Sequence, residues 1–328
     1  MIPGRGLVEW FADGAAQSRT VARREECRLE LGKLESLARL SLELDRIDGE
    51  DPKAILGCGR RFLDRPNAVR TCIDLLISFA RGDRFFRPPM LGLSGEVHTG
   101  LLLLDHPRLA MLAAVASADA LAAKRTSRKG PASIAFPGTR SVYKFVKAGG
   151  ATFSFWETSG FAWEGRGRCR LVDRRRIRDG ETLELDGRYR SFVVDHAKGD
   201  LVYFHTRTPA GAAPLAAEYD STTLEFIGGS STDEVSSRTQ MMLSLLRLMD
   251  RRDAIPLFRE VLGDSHFYAR WHAMREFLAL DAGLALPHLR EMAEADPHPE
   301  VRAAAAQTLE AFFADEAPEF GGEVQCLA

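Results

Sequence analysis

The spacing of apolar positions changes twice along the chain and divides it into three parts. In the first, about residues 1–135, leucines at positions 31, 34, 37, 40 and 44 recur at intervals of three and four, which predicts one continuous helical stripe over 30–47. Gly49 follows as a stop signal. A second helix is predicted to open at Pro66, where a missing N–H costs nothing, and to run through Ile73, Leu75, Leu76 and Phe79 to Gly82. The alanine- and leucine-rich stretch 107–124 predicts a third, and the basic run 124–131 reads as an exposed connector.

In the second part, 136–228, the period falls toward two. Segments 142–157 and 188–206 are rich in aromatic and β-branched residues, and Thr182, Leu183, Glu184 and Leu185 alternate. Turn signals stand at Gly149-Gly150, Asp179-Gly180, Asp186-Gly187 and Lys198-Gly199-Asp200, the last predicting a hairpin. Short strands at this spacing predict a small sandwich or barrel. Gly180 and Leu183, and then Gly199, Asp200 and Val202, form turn-strand pairs similar to those of the cupin-like jelly rolls. That resemblance implies a jelly roll and, in the metal-binding members, an iron site; the family's His-x-His motif is absent from this sequence.

The third part, 232–315, repeats. Asp264, His266, Arg270 and Ala273 align with Asp296, His298, Arg302 and Ala305 at an offset of 32 residues. The same step back reaches Arg238, with Met241, Leu245 and Leu248 matching Ala273, Phe277 and Leu280. A fixed period near 30 built of helix pairs predicts an α-solenoid. Asp296, Val301, Arg302 and Ala305 reproduce a D-x-x-x-x-V-R-x-x-A pattern, which resembles HEAT repeats over about a quarter of the chain. Asp264 and Asp296 are expected to cap their helices, and the repeat arginines to pair with acids of neighbouring units. Residues 316–328, with Pro318, Gly321 and Gly322, read as a loose tail. The fold class expected is α+β: a helical N-terminal region, a small central β-sandwich or jelly roll, and a HEAT-like C-terminal solenoid.

Composition narrows the function classes. Across 328 residues, 45% are apolar and 27% charged, which excludes wholesale disorder. With 44 basic and 46 acidic side chains the net charge is −2, so no global attraction to nucleic acid or a membrane surface is expected. Five cysteines without a CxxC pair, and no apolar leader in the first 25 residues, predict a reducing, cytoplasmic setting.

Candidate chemistry follows from three groups. Glu96 and His98, together with Asp195, His196 and His205 about the predicted hairpin, are the donors from which a two-histidine, one-carboxylate Fe(II) site would be built. Seven arginines lie between Glu164 and Asp179; Arg166, Arg168 and Arg170 alternate, so a strand there would aim three guanidinium forks at an acidic partner. Phe153 and Phe155 would share one strand face and could wall a pocket. Phosphate-loop, dinucleotide, nucleophile-elbow and zinc-protease signatures are absent. The leading expectation is a binding or adaptor protein for a protein, acidic peptide or small molecule. The alternative is a non-haem iron oxygenase.

Overall fold

The computed structural model describes residues 5–127, 132–158 and 167–313. It divides into two compact units, Met1–Thr232 and Asp233–Ala328, each taken by itself below.

The first unit opens with five helices: α1 (Arg5–Ala12), α2 (Gly14–Gly32), α3 (Glu35–Asp45), α4 (Pro52–Leu63) and α5 (Pro66–Gly82). The predicted stripe over 30–47 is broken, because the chain leaves helix α2 at Gly32 and Leu34 becomes the N-cap of α3. Its leucines still pack, Leu31 with Cys27, Cys72 and Phe79, and Leu40 and Leu44 with Ile55 and Phe62. Asp13 and Asp51 cap α2 and α4 through Ala16 N–H and Lys53 N–H, both at 2.9 Å.

Strands begin earlier than the sequence pattern suggested. Residues 107–124 do not form one helix: β2 (His98–His106) turns at Pro107-Arg108 into β3 (Leu109–Ala116), and only then does α6 (Ala118–Ser127) begin. Alanine's helix propensity gives way here to burial, since Leu109 and Met111 both enter the core beneath α4. With β1 (Gly92–Ser94) the hairpin extends a six-stranded sheet of order β1-β2-β3-β10-β5-β8, where β5 is Arg140–Lys147, β8 Thr182–Asp186 and β10 Leu201–Thr208.

A second layer is formed by β6 (Thr152–Thr158), β7 (Cys169–Arg176) and β9 (Arg190–His196), in the order β7-β6-β9, with β4 (Ser133–Phe136) beside β9. The Ser191 hydroxyl donates to Ala135 O across that edge. Counted in chain order from β3, one sheet runs first, eighth, third, sixth and the other second, seventh, fourth, fifth. This is the strand order of a jelly roll, reached because every connection from β3 to β10 except the β6–β7 turn carries the chain to the opposite sheet. Between the sheets lie Phe145, Phe153, Ile177 and Leu201, joined by Tyr143, Phe155, Phe192 and Tyr203.

A second core was not foreseen from sequence. Strands β11 (Leu215–Asp220) and β12 (Phe226–Ser231) continue from β4, and the start of β7 meets the turn between them through Cys169 N–H to Leu224 O at 3.0 Å and an Arg168–Glu225 bridge. The strands so joined enclose Ile134, Phe136, Cys169, Ala217 and Tyr219. The Tyr219 and Thr158 hydroxyls pair at 2.9 Å inside.

The second unit contains α7 (Glu234–Leu248), a 3₁₀ turn, α8 (Ile255–Val261), α9 (Phe267–Leu280), α10 (Ala282–Ala295) and α11 (Pro299–Phe312). Two apolar clusters hold it. One is built on Leu243, Phe258, Ala273 and Phe277, the other on Met274, Leu289, Val301 and Ala305.

Candidate functional site

The five donors proposed for iron are placed apart. Glu96 stands before β2 and pairs with Lys124 at 2.7 Å, and His98 opens β2 in an exposed position. Asp195 accepts from the Ser154 hydroxyl at 2.6 Å and pairs with Arg174 at 3.1 Å. No hairpin joins His196 to His205: β9 ladders with β6, whereas β10 ladders with β3 and β5. The turn at 198–200 crosses from one sheet to the other, so the two histidines register with Thr152 and Tyr143 respectively. Among the described residues no three His, Cys, Asp or Glu side chains converge as a metal site would need. The donor set does not fit Fe(II).

His205 is instead part of the jelly-roll interior. Its ring stacks on Tyr143 at 4.2 Å, and its buried Nε2 has no hydrogen-bond partner. Burial first, then the Arg207 charge and more weakly that of His98, push its pKa down to about 3, so the imidazole is neutral at ordinary pH. Burial likewise raises the Tyr143 phenol. Phe153 and Phe155 belong to the same interior, Phe153 fully buried and stacked on Phe192 at 4.8 Å. They pack a core rather than wall a cavity.

The arginine strand runs from Cys169 to Arg176, later than the 166–170 expected, and Arg166 lies outside the described residues. Cys169 points inward, as alternation requires, and Arg168 and Arg170 are exposed. Arg168 pairs with Glu225 at 2.7 Å, and Arg170 with Glu157 at 2.9 Å. Arg174 reaches Asp195, and Arg175 reaches Glu181 at 2.6 Å with its guanidinium over the Phe155 ring. The local excess of positive charge is therefore met by carboxylates from neighbouring strands, which the linear sequence hides. At the edge of β7-β6-β9, such a row of charge also discourages pairing with another strand.

A large apolar concavity in the first unit lies elsewhere, on the helix-side face of the six-stranded sheet. A groove of about 900 Å³ is floored by Leu101, Ala113, Val115, Val146 and Val202, and walled by Val69 and Ile73 of α5. Val202 registers with Val115, so one aliphatic strip crosses β3, β10 and β5. The charged residues lining it are Arg70, Asp74 and Lys144, of which Arg70 pairs with Asp74 at 3.5 Å and Lys144 with Asp64 at 3.1 Å. Helix α4 approaches β10 closely through Gly59, where a Cβ would meet Leu109 and Thr206 at 3.1 and 3.3 Å. Sequence reasoning missed this site. Its signal was the pair of valines on alternating strands that face away from the jelly-roll core.

In the second unit the repeat residues are structural. Arg270 donates to both oxygens of Asp296, at 2.8 and 2.7 Å, in a pair that is nearly inaccessible to water. Burial pushes the Asp296 carboxyl up, but the Arg270 bonds and the His298 N–H more than offset this and hold it below its usual value. Arg302 donates to Asp296 O at 2.6 Å, the counterpart of Arg270 on Asp264 O, whereas Arg238 pairs with Glu234 in its own helix. Asp264 and Asp296 do not cap α9 and α11: each accepts from a histidine N–H two residues on, and His266 and His298 take the N-cap positions. Asp233 and Asp281 do cap directly, on Ser236 N–H and Leu284 N–H.

Residues 230–310 match the HEAT repeats family. No curated protein is a match. Solved structures similar to the strand region include ectoine synthase from P. lautus (11% identity over 36% of this chain and 69% of that one, TM-score 0.24) and KdgF from Halomonas sp. (12%, 36% and 87%, 0.23). The cupin domain of Schizosaccharomyces pombe Cnp3 is a third (9%, 38% and 67%, 0.22). No activity is carried over from them. Among the described residues, no helix is long and apolar enough to cross a membrane.

Proposed function

We propose that the chain is a binding protein of adaptor type, which holds an apolar segment of a protein partner in the groove on its six-stranded sheet. The observation that carries this reading is the groove itself, a continuous aliphatic floor with charge only at its rim. Its size is that of a binding cleft, and its walls are formed before any ligand arrives. Helical repeats, which commonly present extended surfaces to other proteins, are consistent with the same role. An acidic partner at β7 would have to take Arg168 from Glu225 and Arg170 from Glu157, so the apolar groove is preferred. The iron-oxygenase alternative needs ligands on one face, and its candidate donors are dispersed. Among the described residues, four cysteines are buried and outside any disulfide, which suits a reducing compartment such as the cytoplasm.

The test is site-specific photo-cross-linking of the full chain in its native cells. A photoreactive residue replaces Val146 in the groove or, as control, the comparably exposed Leu171 on β7. We expect a predominant protein adduct from position 146 that disappears when Val202→Arg blocks the floor. Equal adducts at both positions, or a small-molecule mass gain in place of a protein, would overturn the reading.

A further inference from the structure

Arg176, the last residue of β7, breaks the pairing seen along that strand. Register places it opposite Thr152, and Thr152 opposite His196, in one row across β7, β6 and β9. A bulge at Asp195 brings that carboxylate to the same face, where the Ser154 hydroxyl and Arg174 hold it. The face is the outer one, because Phe153, between Thr152 and Ser154, points into the jelly roll.

Among the described residues the side chain of Arg176 has no ion pair or hydrogen bond, and the same holds for Lys198, Arg125 and His196. Gly150 lets two of these cations converge. A Cβ built there would lie 3.5 Å from Arg176 Nη2 and 3.7 Å from Lys198 Cδ. Like charges brought together repel, and a counter-anion between them removes that cost. Beside them lies a hollow of about 430 Å³, lined by Arg125 of α6, Thr152, Arg174, Val193, Asp195 and His196. Among its described lining residues Asp195 is the one carboxylate, and it is already engaged.

The donor set selects the anion. A carboxylate is satisfied in one plane by a single guanidinium fork. Here guanidinium, ammonium, imidazole and hydroxyl groups come from three strands, a turn and a helix. Donors on several sides suit a phosphate dianion, which presents three acceptor oxygens. The hollow has room for more than phosphate alone, and Val193 gives it an apolar wall. We infer that this face binds a phosphate monoester, the phosphate held by Arg176, Lys198 and the Thr152 hydroxyl and the organic part toward Val193. The apolar groove lies on the other sheet, so this inference and the proposed function fail separately.

Isothermal titration calorimetry of the full chain with phenyl phosphate tests it. Saturable binding is expected, weakened about tenfold or more by Arg176→Gln/Lys198→Gln. Arg168→Gln, on the same strand but paired with Glu225, should leave it unchanged. Benzoate, with the same ring and a planar carboxylate, should bind about tenfold more weakly. Without ligand, Arg176→Gln should keep or raise the melting temperature, because it relieves repulsion; a fall would mean that a protein group already neutralises Arg176, and would overturn the site. Absent saturation, an equal loss with Arg168→Gln, or benzoate binding as tightly as phenyl phosphate also overturns it. A phosphoserine peptide that binds about tenfold tighter than phenyl phosphate assigns the ester to a protein side chain, and equal or weaker binding assigns it to a small molecule.

Discussion

A single ring atom shows how position decides chemistry in this protein. As a metal ligand His205 depends on a hairpin at 198–200 that would bring His196 and Asp195 across from it. In the fold its Nε2 is buried against Tyr143 without a partner, and its pKa is depressed to about 3. The unfolded chain takes up a proton near the ordinary value of about 6.5, so it binds more protons than the folded chain between those limits. Stability at this site is therefore full above about pH 6.5 and falls as the medium is acidified, by roughly 1.4 kcal/mol per pH unit. His205→Phe keeps a stacked ring and removes the proton. Urea unfolding at pH 7 and pH 4.5 should show the wild type losing about 2–3 kcal/mol more than the variant on acidification. Equal losses would mean that His205 is hydrated in the folded state.

At the scale of elements, the sequence was most legible where one period ran without competition. The repeat helices, the Pro66 helix start and the Gly149-Gly150 and Gly180 turns all appear where spacing and punctuation put them. What failed were inferences about pairing. Lys198-Gly199-Asp200 looks like a hairpin because both flanks alternate, yet this jelly roll sends β9 and β10 to different sheets. Likewise the arginines of β7 looked unpaired because Glu157, Glu225 and Asp195 are distant in sequence. Local pattern reports which face a residue takes; it does not report which strand lies alongside. The groove was illegible for the same reason, since its floor is assembled from four strands and one helix.

The sheet crossing also yields a test. Gly149 has φ +59°, and its carbonyl accepts from Lys198 N–H at 2.9 Å and Gly199 N–H at 3.0 Å. A Cβ there would penetrate the Gly199 carbonyl. Gly180 has φ +78° but open space about it. Gly180→Ala should cost only the backbone strain of about 1–2 kcal/mol, and Gly149→Ala distinctly more, because strain and collision add. Chemical denaturation compares them, and equal losses would show that the crossing yields freely.

At the scale of the whole molecule, the two units draw on different kinds of stabilisation. Residues 5–232 hold four apolar clusters, including an aromatic jelly-roll interior. Residues 233–313 hold two, and a buried Arg270–Asp296 pair ties the middle repeat to the turn before α11. Breaking such a pair from one side strands a buried charge, at a cost of about 3–5 kcal/mol. Asp296→Asn keeps the shape of the side chain and leaves the Arg270 guanidinium uncompensated, so the loss should be of that order and should fall on the repeat unit. Two-state behaviour is not expected of a chain with two cores. Calorimetry of the full chain should resolve two transitions, with Asp296→Asn lowering one and His205→Phe at acid pH raising the other. If instead both substitutions move a single transition together, the repeats and the jelly roll fold as one cooperative body.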